Sequence, residues 1–158
     1  MRICHITPHL PPDQAANALL PFHLGTWAAT AGDEVRYIAH APRQQRGRAR
    51  ALPVSLPGPV AWVPTHHDAQ GLGRLVRLSA ASAALGIGRA TRPAIEWADV
   101  VHVHSNGLIA EMGAWLAGRL GKPYVLTLYG TEIWHYEPKR WRPDLFTRAY
   151  RAALCSQA

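Results

Sequence analysis

Short apolar runs alternate along the chain with longer stretches in which apolar residues recur at helical spacing. This alternation predicts strands joined by helices, as in a parallel sheet covered on both faces. The predicted strands are residues 3–7, 35–39, the weaker 52–56, 100–104, 124–129 and, at the end of the chain, 153–156. The fold class that follows is α/β, with a mostly parallel sheet and helices on both faces.

Four segments have the apolar spacing of helices that pack on a sheet. The first helix is expected to begin between Asn17 and Pro21, where Asn17 can cap it and Gly32 can close it. The other predicted helices are residues 72–85, 108–120 and 144–152. Residues 57–64 contain three prolines and are predicted to be irregular, and Pro53 places the strand at 52–56 on the edge of the sheet.

Composition limits the chain to one globular domain, since its 158 residues are 48% hydrophobic and 17% charged. The net charge of +7 favours anionic partners, namely phosphates, nucleic acid or an acidic membrane surface. Cys4 and Cys155 are predicted to be reduced, buried thiols. Neither a signal peptide nor a bilayer-length apolar stretch is visible, so we expect a cytoplasmic protein that is soluble or peripheral on the inner face of the membrane.

Polar or small residues follow three of the predicted strands, at residues 7–9, 104–107 and 129–132. In open parallel sheets, ligands bind at the carboxyl ends of strands near the switch in strand order. If the first, fourth and fifth of the strands are neighbours, these three tips share one edge beside the N-terminus of the first helix. Helix N-termini favour anions, so a phosphate-bearing substrate is expected at this edge.

Structural roles also fit several of these residues. His102 and His104 are two apart and face the same side of the sheet, where His102 fits a hydrogen-bonded core histidine. His104 fits a functional role and a role in ending the strand equally well, and Glu132 also fits the cap of a following turn. A zinc site built from His66, His67, His102 and His104 lacks a closed ligand pattern, and no metal is expected.

Cofactor and nucleophile motifs are largely missing from the sequence. The glycines in Gly86-Ile87-Gly88 follow a predicted helix rather than a strand, and neither a P-loop nor a G-x-S-x-G elbow occurs. The arginine-rich residues 43–50 fit a solvated loop or an arm for nucleic acid or anionic lipid. The aromatic residues Trp134, Tyr136 and Trp141 suit either sugar faces or a neighbouring domain.

Four segments together resemble the N-terminal domain of family-4-type retaining glycosyltransferases of the GT-B fold. Residues 2–12 look like their opening strand and loop, and residues 32–35 resemble their G-H-E-V turn. Residues 99–104 (DVVHVH) are similar to their D-V-V-H-x-H strand, and residues 122–132 to their K-P-x-V-x-T-x-H-G segment. The matches occur in the family's order and cover most of the chain, thinning between residues 43 and 95.

The resemblance implies a Rossmann-like domain that is the N-terminal, acceptor-side half of a GT-B enzyme, without metal or cofactor. In that family a C-terminal domain binds the nucleotide sugar and carries an E-x7-E motif, which these 158 residues lack. We therefore expect residues 1–158 alone to be inactive. The chain departs from the family at two places. The family often has a Gly-Gly pair in the loop where this chain has residues 13–17, and it has the histidine of the H-G motif where this chain has Tyr129.

The leading hypothesis is transfer of a sugar from a nucleotide-sugar donor to a glycan or lipid-linked acceptor. The expected partners are then the nucleotide-sugar donor and the acceptor. Peripheral contact with a membrane is compatible with this hypothesis, and binding of nucleic acid is not expected. The expected cleft residues are His104, Ser105, Asn106, Gly107, Tyr129, Gly130, Thr131 and Glu132, and the expected phosphate-side residues are His9, Asp13, Gln14 and Asn17. The alternatives are a non-catalytic Rossmann-like binding module whose basic arm takes nucleic acid or anionic membrane, and a different α/β enzyme complete in one domain.

Overall fold

Five strands and three helices follow one another in the computed structural model, which describes residues 1–13, 15–40, 54–63, 78–105 and 107–129. In chain order they are β1 (Arg2–Ile6), α1 (Ala16–Thr30), β2 (Glu34–His40), β3 (Val60–Val63), α2 (Leu78–Trp97), β4 (Val100–His104), α3 (Leu108–Arg119) and β5 (Tyr124–Thr127). No helix in these ranges is long and apolar enough to cross a membrane.

The five strands form one sheet in the order β3-β2-β1-β4-β5, and every neighbouring pair is parallel. The predicted α/β, Rossmann-like architecture is therefore confirmed. The strand order reverses between β1 and β4, because the chain first builds outward through β2 and β3 and then returns to the other side of β1. This is the topological switch point at which such sheets bind ligands.

Alternation along the strands separates an aliphatic face of the sheet from a polar and aromatic one. On the first face Ile6, Ile38 and Val103 join the main core, to which α2 and α3 contribute. The close approach of α3 is visible at Gly113, where a Cβ atom would lie 2.6 Å from Cδ1 of Ile6. On the second face, a Cβ atom on Gly25 of α1 would lie 1.8 Å from the hydroxyl oxygen of Tyr37, so α1 packs directly on that side.

Helix α1 contains Pro21 in its second turn, a position at which proline normally leaves a helical carbonyl without a donor. The carbonyl concerned is that of Asn17, four residues earlier. The Thr7 hydroxyl lies 2.6 Å from this oxygen and donates to it. Because Thr7 directly follows β1 and is completely buried, this bond also fixes the start of α1 against the carboxyl end of the strand.

The ends of α1 confirm one predicted cap and correct the other. Gly32 follows the last turn with a φ of 88°, a left-handed conformation that favours glycine, as predicted. The prediction that Asn17 caps the helix is wrong, because Ala15 occupies the N-cap position without a side-chain hydrogen bond. Asn17 instead lies inside the first turn of the helix.

Three element boundaries differ from the sequence prediction. Residues 54–56 form no strand, and the edge strand is Val60–Val63, because the prolines of residues 57–64 flank the short strand instead of interrupting it. Helix α2 continues past residue 85 to Trp97, since Ile87, Thr91, Ile95 and Ala98 are buried at helical spacing along and just beyond it. Strand β5 ends at Thr127 rather than at residue 129.

Other predictions fall partly or wholly outside the described residues. Cys4 is free and buried as expected, and burial raises the pKa of its thiol to about 12. Cys155, the basic segment 43–50, the helix at 144–152 and the strand at 153–156 lie outside the described ranges. The same holds for Trp134, Tyr136 and Trp141.

Candidate functional site

The carboxyl ends of β1, β4 and β5 lie next to one another at one edge of the sheet, as the sequence predicted. The sheet ladder pairs Ile6 with Val103 and His104 with Thr127, so the residues that follow these strands share this edge. Of the predicted cleft residues, the structure places His104, Ser105, Gly107 and Tyr129 here. Asn106, Gly130, Thr131 and Glu132 lie outside the described residues.

His104 is the centre of this edge, and its side chain is completely buried. Its Nδ1 atom lies 3.0 Å from the hydroxyl oxygen of Tyr129, and its Nε2 atom lies 3.0 Å from Nδ1 of His5. Burial lowers the pKa of His104 to about 2, with the neighbouring His102 and His5 contributing, so the imidazole is neutral at physiological pH. The structure thus joins two predicted site residues, His104 and Tyr129, in one hydrogen-bonded chain that begins at His5.

Two proton arrangements satisfy both hydrogen bonds of this chain. In the first, Nδ1–H of His5 donates to His104, and Nδ1–H of His104 donates to Tyr129. In the second every proton runs the other way, which leaves an N–H at Nε2 of His5, an atom buried without a partner among the described residues. A buried donor without an acceptor is rarer than a buried acceptor without a donor, so the first arrangement is favoured. Tyr129 then accepts from His104.

His102 completes a cluster of aromatic side chains on the same face. Its Nε2 atom lies 2.8 Å from the Thr127 hydroxyl, and its ring stacks on that of His104 with centroids 3.9 Å apart. His102 is therefore hydrogen-bonded as predicted, although it is only half-buried. His5 stacks on Tyr37 with ring centroids 5.5 Å apart.

His5 is the member of this cluster that the sequence analysis missed as a site residue. It pairs with His102 in the ladder between β1 and β4, which places both side chains on the same face. The signal was the presence of histidines on two strands expected to be adjacent. The register that brings His5 level with His102 is set by tertiary packing and does not appear in either segment alone.

The loop between β1 and α1 carries the predicted phosphate-side residues. Nδ1 of His9 lies 3.0 Å from a carboxylate oxygen of Asp13, and both side chains are substantially exposed. Asn17 lies in the first turn of α1, and its side-chain oxygen is buried without a partner among the described residues. The structure thus places His9, Asp13 and Asn17 beside the carboxyl end of β1, while Gln14 lies outside the described residues.

The connection from β4 to α3 is built from backbone conformations that most residues avoid. Ser105 has a φ of 70°, and Gly107, the N-cap of α3, has φ 95° and ψ 173°. The Ser105 amide donates to the carbonyl oxygen of Thr127, which holds the turn against β5. Strained conformations of this kind concentrate at ligand sites, and α3 begins at the same edge, where the first amides of a helix have no acceptor within the helix itself.

The predicted absence of a metal concerns the same residues. One ring nitrogen from each of His5, His102 and His104 lies within 4.8 Å of the others, a spacing at which all three nitrogens could bind one metal ion. The other histidines of the four-histidine set considered from the sequence, His66 and His67, lie outside the described residues.

Comparison with known proteins agrees with this architecture. The chain is similar in structure to a putative UDP-N-acetylglucosamine 2-epimerase from Listeria monocytogenes, with TM-score 0.57, 12% identity and coverage of 96% of this chain and 37% of that one. It is also similar to CalG4, the calicheamicin glycosyltransferase, with TM-score 0.51, 16% identity and coverage of 99% and 42%. The chain therefore spans less than half the length of each, and at these identities the likeness concerns the fold alone.

A further structural match shows how widely this fold occurs. The C-terminal domain of the PF1911 hydrogenase from Pyrococcus furiosus matches with TM-score 0.50 and 12% identity, covering 80% of this chain and 91% of that one. No curated protein matches the sequence. A family model described as a glycosyl transferase 4-like domain matches residues 22–158. Since that match covers most of the sequence, the chain belongs to the glycosyl transferase 4-like domain family, with the Rossmann-like fold of one half of a GT-B protein.

Proposed function

We propose that residues 1–158 form the acceptor-side half of a retaining glycosyltransferase that transfers a sugar from a nucleotide-sugar donor to a glycan or lipid-linked acceptor. In this proposal a C-terminal domain with an E-x7-E motif binds most of the donor, and residues 1–158 alone are inactive. The observation that carries the proposal is the hydrogen-bonded His104–Tyr129 pair at the switch point of a domain that belongs to this family.

Tyr129 acts in this proposal through hydrogen bonding to a sugar hydroxyl. It accepts from His104 in the favoured proton arrangement, which fixes the position of its hydroxyl oxygen at this edge of the sheet. His104 is a positioning residue, because burial keeps its pKa at about 2 and the imidazole therefore does not exchange a proton near neutral pH. The pair thus places a neutral phenol, held by His104, where the family has the histidine of the H-G motif.

The donor phosphates approach the same edge from the side of α1 and α3. Helix α1 is the element that follows β1 and α3 is the element that follows β4, and the first amides of a helix favour an anion. His9 and Asn17 lie on the α1 side of this position. A lipid-linked acceptor would bring the enzyme to the inner face of the membrane, where the arginines of residues 43–50 add electrostatic attraction.

Isothermal titration calorimetry with UDP-glucose, UDP-N-acetylglucosamine and GDP-mannose tests the proposal that a C-terminal domain binds most of the donor. The 158-residue chain should bind each donor with a Kd weaker than about 1 mM. A chain extended through the donor-binding domain should bind one of them at least about tenfold more tightly and hydrolyse it. Micromolar binding by the 158-residue chain would contradict the acceptor-side assignment.

Retention is tested separately, once a donor is known. Proton NMR of the first product formed by the extended chain should show the same anomeric configuration as the donor sugar. An inverted product would overturn the retaining mechanism and leave the acceptor-side assignment standing.

A further inference from the structure

Three imidazoles from two adjacent strands converge beneath the cleft. His5 comes from β1, and His102 and His104 come from β4, where the ladder places His5 level with His102. One nitrogen of each ring lies within 4.8 Å of the other two, and the His5–His104 pair is already at 3.0 Å. Parallel strands hold the three Cα positions rigidly, so the cluster is preformed by the sheet.

Each ring has one nitrogen that an ion could take, and the ion would replace the hydrogen bond between His5 and His104. His102 uses Nε2 towards the Thr127 hydroxyl, and His104 uses Nδ1 towards Tyr129. Nδ1 of His102 carries a lone pair when Nε2–H donates to Thr127. The lone pair on Nε2 of His104 accepts from Nδ1–H of His5 in the favoured arrangement and would turn to the ion instead. His5 has its buried Nε2 without a partner among the described residues. An unsatisfied buried nitrogen in a native protein calls for an explanation, and an ion that it binds is one.

We propose that His5, His102 and His104 form a three-histidine site for a divalent transition-metal ion of the zinc type. Imidazole nitrogens suit Zn²⁺, which binds three of them at about 2.0–2.1 Å and leaves a fourth position for water or another oxygen. Thr127 and Tyr129 hold the outer ring nitrogens of two ligands, as partners behind a metal site do. The ion would join β1 to β4 at the switch point and so brace the floor of the cleft.

The position of His102 gives the cluster access to solvent. His102 is half-buried, which provides a path by which an ion enters from the open side of the face. Bonds of about 2.1 Å in a tetrahedral site separate the nitrogens by roughly 3.4 Å, which lies between the 3.0 Å of the His5–His104 pair and the 4.8 Å limit of the cluster.

Equilibrium dialysis against Zn²⁺, followed by elemental analysis, tests the site in the full chain after treatment with a chelator. The wild-type protein should retain one Zn²⁺ per chain. His5→Ala and His102→Gln should each weaken binding by at least about tenfold, as should Thr127→Val through loss of a supporting bond. His102→Gln keeps a polar side chain near Thr127, so it remains informative if His5→Ala does not fold by circular dichroism.

Two control variants separate this site from other histidines. His23→Ala removes an exposed imidazole from α1, and the double variant His66→Ala/His67→Ala removes the adjacent histidine pair of the four-histidine alternative. Both should keep the wild-type stoichiometry, and Zn²⁺ should raise their Tm as it raises that of the wild type. The proposal is overturned by absence of Zn²⁺ uptake, by unchanged uptake in His102→Gln, or by loss of uptake in the double variant. None of these outcomes depends on sugar transfer, so they are independent of the proposed function.

Discussion

Replacement of Gly25 by alanine should destabilise the protein although it removes a glycine from a helix. The added Cβ atom would lie 1.8 Å from the Tyr37 hydroxyl oxygen and 2.8 Å from Cζ, whereas ordinary contact begins at 3.4 Å. Tyr37 is fully buried and stacked on His5, so it cannot retreat by the missing 1.6 Å without moving the cluster. Overpacking of this kind costs about 1–3 kcal/mol, and the gain in helix propensity returns about 1 kcal/mol. The difference is a net loss of up to about 2 kcal/mol, and the 1.6 Å overlap places the expected value near that upper end.

Guanidinium chloride unfolding of the full chain, followed by far-UV circular dichroism, measures this loss. Gly86→Ala is the matched control, because Gly86 lies inside α2 and a Cβ atom added there would meet nothing within 4 Å, and it should gain about 1 kcal/mol. Tyr37→Phe, which removes a hydroxyl without a partner among the described residues, should recover part of the loss in the double variant. If Gly25→Ala is as stable as Gly86→Ala, the close packing of α1 on the histidine face is wrong.

Other variants test the elements that position the site. Thr7→Val should lower the free energy of unfolding by about 1–3 kcal/mol. It removes the hydroxyl that donates to the Asn17 carbonyl, and Pro21 has no N–H to replace that donor. An unfolding midpoint equal to that of the wild type would refute this prediction. Gly107→Ala should cost about 1–3 kcal/mol through its backbone conformation alone, since the new Cβ meets nothing within 4 Å; Gly118→Ala in α3, equally uncrowded, should not be destabilising. With a chelator present, the free energy of unfolding should fall as the pH drops from about 6.5 towards 4. Burial lowers the pKa of His5, His102 and His104 from 6.5 to about 3, 4 and 2, so the unfolded chain binds more protons than the native one over this interval. A free energy of unfolding that does not change with pH over this interval would contradict the prediction.

Strand alternation and strand order account for most of what the sequence predicted correctly. The apolar runs at β1, β2 and β4 are bounded by glycine, proline or charged residues, so hydrophobic pattern and turn chemistry agree there. The β3 region was mispredicted because the proline-rich stretch hid a strand only four residues long. The length of α2 was underestimated because two glycines and Pro93 oppose helix formation locally, while burial of Ile87 and Ile95 against the sheet stabilises it.

At the site, the sequence predicted which loops lie at the ligand-binding edge, but it did not predict which side chains bond to one another. The rule that ligands lie at carboxyl ends of strands selected His104 and Tyr129, and the structure joins them at 3.0 Å. The role of His5 depends on the register between β1 and β4, and the bond between Thr7 and Asn17 depends on how α1 is seated. Both are long-range consequences of packing that leave no periodic signal in the sequence.

Turnover of nucleotide sugar by a chain extended through the proposed donor-binding domain tests the central claim most directly. Release of nucleoside diphosphate should occur in the wild type, and Tyr129→Phe and His104→Gln should each lower kcat by about tenfold or more, because each removes a hydrogen bond that orients the cleft. Thr30→Ala, at the exposed end of α1, should retain the wild-type rate. Wild-type kcat in both cleft variants would show that the edge formed by β1, β4 and β5 is not where the sugar is transferred.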